Sequence, residues 1–183
     1  MTDAPADPKS GHDVRLIERW LPIAEIGIES KRERTPMTPF PAPNRLHVWW
    51  ARRPLVASRA AILASIILDH ETDRDQFKHA LGIHGDPLAA RVRIAKADRD
   101  GERLGKNAYG YARAFLHNPT ETELDAILPD RSSITVLDAT AGGGAIPLEA
   151  LRLGDCQDFR VWAGIMGRKE SHYVPTQGAG DSG

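Results

Sequence analysis

Cysteine is nearly missing from this sequence. Cys156 stands alone among 183 residues, which rules out a disulfide framework and a cysteine-based zinc site. Long hydrophobic runs are missing too. The longest, Leu55 to Leu68, is interrupted by Ser58, Arg59 and Ser65 and is too short to span a bilayer, so no membrane association is expected. Charge of one sign is not in excess: the net charge of −1 says nothing about partners. The polar, proline-containing start MTDAPADPKSGHD has no apolar signal segment, and a reducing cytoplasm is the expected location. The seven histidines are scattered, no two of them joined by a third ligand at metal spacing, so no metal site is expected.

What is present is organised around Ile134 to Gly154. Ile134, Thr135, Val136 and Leu137 form a β-branched, apolar run suited to a buried parallel strand. Asp138 ends it, and Gly142, Gly143 and Gly144 allow a sharp turn and a close backbone approach to a ligand. Pro147 fits the first turn of a helix, Leu148, Ala150, Leu151 and Leu153 supply a packing face, and Gly154 is a natural stop. A dinucleotide fingerprint fails because Pro147 occupies its third glycine position, and a P-loop fails for want of Gly-Lys-Ser/Thr. The spacing D-x-x-x-G-x-G, from Asp138, Gly142 and Gly144, resembles the first motif of S-adenosylmethionine-dependent methyltransferases. An ordinary glycine-rich strand-to-helix turn is the alternative.

The chain divides into a polar N-terminus at 1–12, expected to be disordered, a helical region at 13–70, and a mostly helical linking region at 71–133. Asp13 can cap a first helix carrying Leu16, Ile17 and Trp20. Pro22 allows a second, with Ile23 and Ile26 inward, Glu25 and Glu29 outward, and SKRER as its end. Four prolines between Thr35 and Asn44 predict an extended connector. Pro54 then opens a largely buried helix through Leu55, Ile62, Leu63, Ile66 and Ile67. Further on, Asp86-Pro87 opens a helix with Leu88, Val92 and Ala95 at helical spacing, and Gly101 breaks it. Tyr109, Tyr111 and Phe115 form an aromatic patch expected to pack under the preceding helix. Thr120 and Glu123 form a capping box for Leu124, Ile127 and Leu128.

Between Lys31 and Arg59 the sequence carries seven Lys/Arg against Glu33, a local balance of +6 in a chain of net −1. Arg45, His47, Trp49, Trp50, Arg52 and Arg53 interleave cations with indoles, the composition of a surface that binds phosphates and stacks on bases. For the two tryptophans a core role is preferred, because adjacent residues point different ways. For the arginine pair, phosphate contact and a structural bridge stand level.

Three segments together, RLIERWLPIAEIGIES, NRLHVWWARRPLVASRAAILAS and VLDATAGGGAIPLEALRLG, resemble the N-terminal part of a prokaryotic family of adenine-specific DNA methylases, an uncharacterised domain whose relatives often carry a zinc ribbon further on. GDPLAARVRIAKADRDGERLGKNAYGYARAF is also similar, so the resemblance covers most of Asp13 to Gly154. It implies an α/β, Rossmann-like methyltransferase fold, incomplete here and preceded by a mainly helical region. It further implies S-adenosylmethionine as methyl donor, contacted by Asp138, Ala139, Thr140, Gly142 and Gly144, and DNA adenine as acceptor. Binding is expected to be weak or absent, because the next strand's acidic residue that would hold the ribose is missing.

The family's Asn/Asp-Pro-Pro-aromatic motif, which would orient the adenine amino group, occurs nowhere in the sequence, and Asn118-Pro119 is read as a helix start. The segment 155–183 changes character, with one possible strand at Phe159 to Ile165, and is expected to be atypical and disordered. The expectation is therefore a truncated methylase carrying the cofactor turn, with no catalytic residue and inactive alone. Two alternatives are a non-catalytic module that binds nucleic acid or a partner, and one subunit of a split enzyme whose second chain carries the catalytic motif.

Overall fold

A computed structural model describes residues 14–35, 52–69, 73–105, 108–128 and 134–154, together with the backbone of 160–163 and 172–173. These residues are mainly helical. In chain order they form α1 (Leu16–Arg19), α2 (Ile23–Arg34), α3 (Leu55–Ile66), α4 (Arg74–Ala80), α5 (Pro87–Asp100), a 3-10 turn (Ala114–Leu116), α6 (Glu121–Ile127), β1 (Thr135–Asp138), α7 (Ala145–Leu153), β2 (Arg160–Ala163) and β3 (His172–Tyr173).

The third helix is the centre. Its residues are apolar or small on almost every side, and it packs against α1, α2, the 3-10 turn and α7. Leu55, Val56, Leu63 and Ala64 lose essentially all solvent contact, as do Leu16, Phe77 and Leu81 from its neighbours. Each such aliphatic or aromatic side chain contributes about 1.5–3 kcal/mol by leaving water. Trp20 meets Phe77 edge to face at 6.1 Å, joining the start of the chain to α4. The chain before α1 is tied to the end of α3 by Leu16 N–H donating to Ile67 O and Asp69 N–H to Val14 O.

Local signals set several helix ends. Asp86 accepts from Ala89 N–H at 2.9 Å with Pro87 in the first turn, and Gly101 closes α5 in the left-handed region. Thr120 and Glu123 cap α6 reciprocally. Other expectations are corrected. The second helix runs through SKRER to Arg34, and its buried residues are Glu29 and Glu33, while Ile23 is 72% exposed. The fifth helix exposes Leu88 and Val92 and buries Pro87, Ala90 and Ala97 instead. Asp13, Pro36 to Asn44 and most of 155–183 lie outside the described residues.

Strand β1 pairs in parallel with β2, Thr135 opposite Arg160 through Asp138 opposite Ala163, and β3 adds antiparallel to β2. Thus β1, α7 and β2 follow one another as a strand–helix–strand unit, with α7 against both strands. The expected burial of β1 does not hold among the described residues: Leu137 is 73% exposed, and only Asp138 is buried. A groove of about 420 Å³ runs beside it, lined in part by Ile17, Ile62, Ile66, Val136 and Ile146.

Candidate functional site

Asp138 is the last residue of β1 and is almost fully buried. Its Oδ1 accepts from Thr140 N–H at 3.0 Å, which turns the chain out of the strand within two residues. Ala139 and Thr140 are exposed on that turn. Gly142 and Gly144 then take φ of +52° and +74°, a region that side chains with a Cβ adopt only at a cost. Gly144 N–H donates to Ala141 O at 2.8 Å and closes the turn. Gly144 is also the residue from which α7 departs, and the amides at the start of that helix have no carbonyl of their own helix to bond. A Cβ on Gly144 would meet nothing within 4 Å, so backbone conformation, and not crowding, demands the glycine.

The arginine pair is divided by its backbone. Arg52 turns inward: its Nη1 donates to Glu33 Oε1 at 2.6 Å, and both side chains are buried. The other oxygen of Glu33 accepts from Leu55 N–H at 2.8 Å, so a carboxylate of α2 caps the start of α3, where Pro54 offers no side-chain cap. Burial raises the Glu33 pKa above the ordinary carboxylate value, against the opposing pull of Arg52. The carbonyl of Arg52 accepts from Arg34 Nη2 at 3.2 Å, which holds this residue from a second side. Arg53 turns outward, is half exposed, and places Nη1 3.5 Å from Asp138 Oδ2. The basic stretch and the glycine turn, separated by 85 residues, therefore meet.

Further in, Arg59 is completely buried. Its Nε donates to Glu149 Oε2 of α7 at 2.7 Å, Nη1 to Leu81 O at 3.2 Å, and Nη2 to His117 O at 2.8 Å. Glu149 also accepts from Arg152 at 2.9 Å. The residue that interrupts the apolar run in the sequence is thus the polar hub joining α3, α7 and two loops. Glu29 is a second hub: Oε1 accepts from Arg32 at 2.5 Å and from Tyr111 OH at 2.7 Å, and Oε2 from Ala114 N–H at 3.1 Å. The Arg32 guanidinium lies 3.8 Å from the centroid of Tyr109, so the aromatic patch packs against α2. Burial and the Glu29 carboxylate both push the Tyr111 phenol upward in pKa.

His79, His84 and His117, scattered in the sequence, stand in an edge-to-face row with centroids 5.1 and 4.9 Å apart. His117 Nε2 lies 3.3 Å from Glu123 Oε2. Burial holds the His117 pKa below its ordinary value, with the Arg59 and His84 charges acting the same way and Glu123 opposing. Among the described residues no group of three His, Cys, Asp or Glu is placed to hold a metal ion.

Of the residues singled out in the sequence, the structure brings Asp138, Ala139, Thr140, Gly142, Gly144 and Arg53 to one place. It withdraws Arg52 into an ion pair that leaves no free guanidinium face for a phosphate. Arg45, His47, Trp49 and Trp50 lie outside the described residues. Glu33, Arg59 and Glu149 were not anticipated, and the only hint of them was a charge within an apolar or helical pattern. Among the described residues, no helix is long and apolar enough to cross a membrane. No curated protein and no solved structure matches the chain. Residues 20–82, which span α2 to α4, match a family model described as a protein of unknown function (DUF1156).

Proposed function

We propose that this chain carries the cofactor turn of an S-adenosylmethionine-dependent, adenine-specific DNA methyltransferase of Rossmann-like fold, acts in the cytoplasm, and is inactive alone. One observation carries the reading. The sequence D-x-x-x-G-x-G sits at a strand-to-helix junction, with Asp138 buried at the strand end and positive φ at Gly142 and Gly144. The parallel pairing of β1 with β2 across α7 supports the same reading, because nucleoside cofactors bind at the carboxyl ends of such strands. The residues fit the cofactor in kind. The turn is open to a ligand, the first amides of α7 can receive a carboxylate, and a half-exposed guanidinium stands 3.5 Å from Asp138 at the foot of the turn.

Bound S-adenosylmethionine would supply the methyl group. The chain's own part is to seat it: Asp138 fixes the turn through Thr140, and Gly142 and Gly144 clear the path. The sequence holds no Asn/Asp-Pro-Pro-aromatic motif to present an adenine amino group, so DNA methylation requires a second chain or further sequence. Photo-crosslinking of radiolabelled S-adenosylmethionine tests the first half, and a separate incubation of the chain with free labelled cofactor and mixed-sequence duplex DNA tests the second. Labelled protein, lost in Asp138→Ala, with no label on DNA is expected. Methyl incorporation into DNA by the chain alone would refute its inactivity. Salt-sensitive DNA binding without any cofactor labelling would favour a nucleic-acid module instead.

A further inference from the structure

We infer that Arg53 belongs to the cofactor site, where it receives the carboxylate of the ligand's amino-acid end and sets the preference for ligands that carry one. This rests on the reading of the glycine turn given above.

The geometry supplies three reasons. First, the base of Arg53 is fixed: Arg52 before it is pinned through its side chain to Glu33 and through its carbonyl to Arg34, and α3 begins two residues after it. Second, its head has slack. The contact to Asp138 is 3.5 Å, longer than the 2.7–2.9 Å or so of a tight guanidinium–carboxylate bond, and half the side chain is in solvent. Asp138, by contrast, is buried and held by Thr140 N–H, so the guanidinium is the partner free to move. Third, the charges require it. A ligand carboxylate arriving at this turn meets the buried negative charge of Asp138, and like charges so placed repel. A guanidinium has five N–H donors in a planar fork, enough to serve Asp138 and an incoming carboxylate together. Among the described residues, Asp138 is the one polar group that Arg53 engages. The arginine of the basic stretch thereby faces the cofactor instead of a DNA phosphate.

Equilibrium dialysis on the full chain separates the possibilities, using two labelled probes, S-adenosylhomocysteine and 5′-methylthioadenosine, which lacks the amino-acid end. The unaltered chain should prefer S-adenosylhomocysteine. Arg53→Gln should weaken that probe about tenfold, the loss of one charge-assisted contact at a half-exposed site, while methylthioadenosine binding stays unchanged and certifies the fold. Arg53→Lys, which keeps the charge without the fork, should fall between. If both probes bind the unaltered chain and Arg53→Gln changes neither, the inference is overturned while the reading of the turn stands. If the unaltered chain holds neither probe, the reading of the turn fails and takes the inference with it.

Discussion

Among the described residues two ion pairs join the helical region to the strand–turn–helix unit, and they are opposites. Arg59–Glu149 is completely buried, 2.7 Å long, and finished by backbone carbonyls on the arginine side. Arg53–Asp138 is 3.5 Å long, half exposed on the arginine side, and lies at the mouth of the glycine turn. The first sits where α3 and α7 pack, and neither partner can leave without stranding a charge away from water. The second sits just before α3 and at the end of β1, and its arginine can swing into solvent at little cost. One interface is thus locked at depth and left adjustable at its outer end, the arrangement a ligand site on a rigid support requires.

The largest expected effect comes from breaking the deep pair. Glu149→Ala leaves the Arg59 guanidinium buried without its carboxylate and should cost about 3–5 kcal/mol in urea unfolding. The double variant Arg59→Met with Glu149→Leu should recover most of that loss, and failure to do so would mean that the carbonyl contacts matter more than the pair. Next, Gly82→Ala attacks the same hub from the side. Gly82 has φ of +82°, and a Cβ there would lie 2.6 Å from the His117 Cβ and 2.8 Å from Ala114 O. Both belong to the residues whose carbonyls surround Arg59, so about 3 kcal/mol of destabilisation is expected from left-handed strain plus overpacking, read as a fall in Tm.

A smaller effect is tied to pH. Burial depresses the His117 pKa in the folded state, so the folded chain binds fewer protons there than the unfolded one. The contribution is fully present above the unfolded value of about 6.5 and is lost as the pH falls through the folded value. His117→Asn should flatten that limb of the stability-against-pH curve, and an unchanged limb would assign it to other groups. Least of all, Arg53→Gln should alter unfolding free energy by no more than about 0.5 kcal/mol. A cost near that of Glu149→Ala would erase the contrast between the two pairs.

Much of this arrangement was legible in the sequence where the cause is local. Asp86 before Pro87, Thr120 with Glu123, Gly101, and the glycines after Asp138 act on backbone within a few residues, and each does in the structure what its chemistry predicts. The sequence misleads where the partner is remote. Glu29 looked like a solvent-facing charge because its ligands, Tyr111 and the Ala114 amide, arrive 82 and 85 residues later. Arg59 looked like a blemish in an apolar helix because Glu149 lies 90 residues away. Arg52 and Arg53 could not be told apart by composition, since two identical side chains in adjacent positions receive opposite environments from the alternation of the chain. Leu137 was read as buried because apolar residues in a strand usually are, yet none of its described neighbours covers it. The match at 20–82 includes Arg53 but stops well short of β1, so it says nothing of the contact between Arg53 and Asp138.

The Glu33 cap has a consequence for how the molecule opens. Helix α3 begins on a proline without a capping side chain, and the amide of Leu55 is satisfied by a carboxylate from the last turn of α2. Neither helix is finished without the other: the second oxygen of the buried Glu33 would lose its amide donor, and α3 would fray at its first turn. Their hydrogen-exchange protection should therefore rise and fall together, as one cooperative unit of opening. Arg53 grows from that junction, so the placement of its guanidinium beside Asp138 is only as well defined as the seam between two helices that both lie far from the glycine turn in sequence.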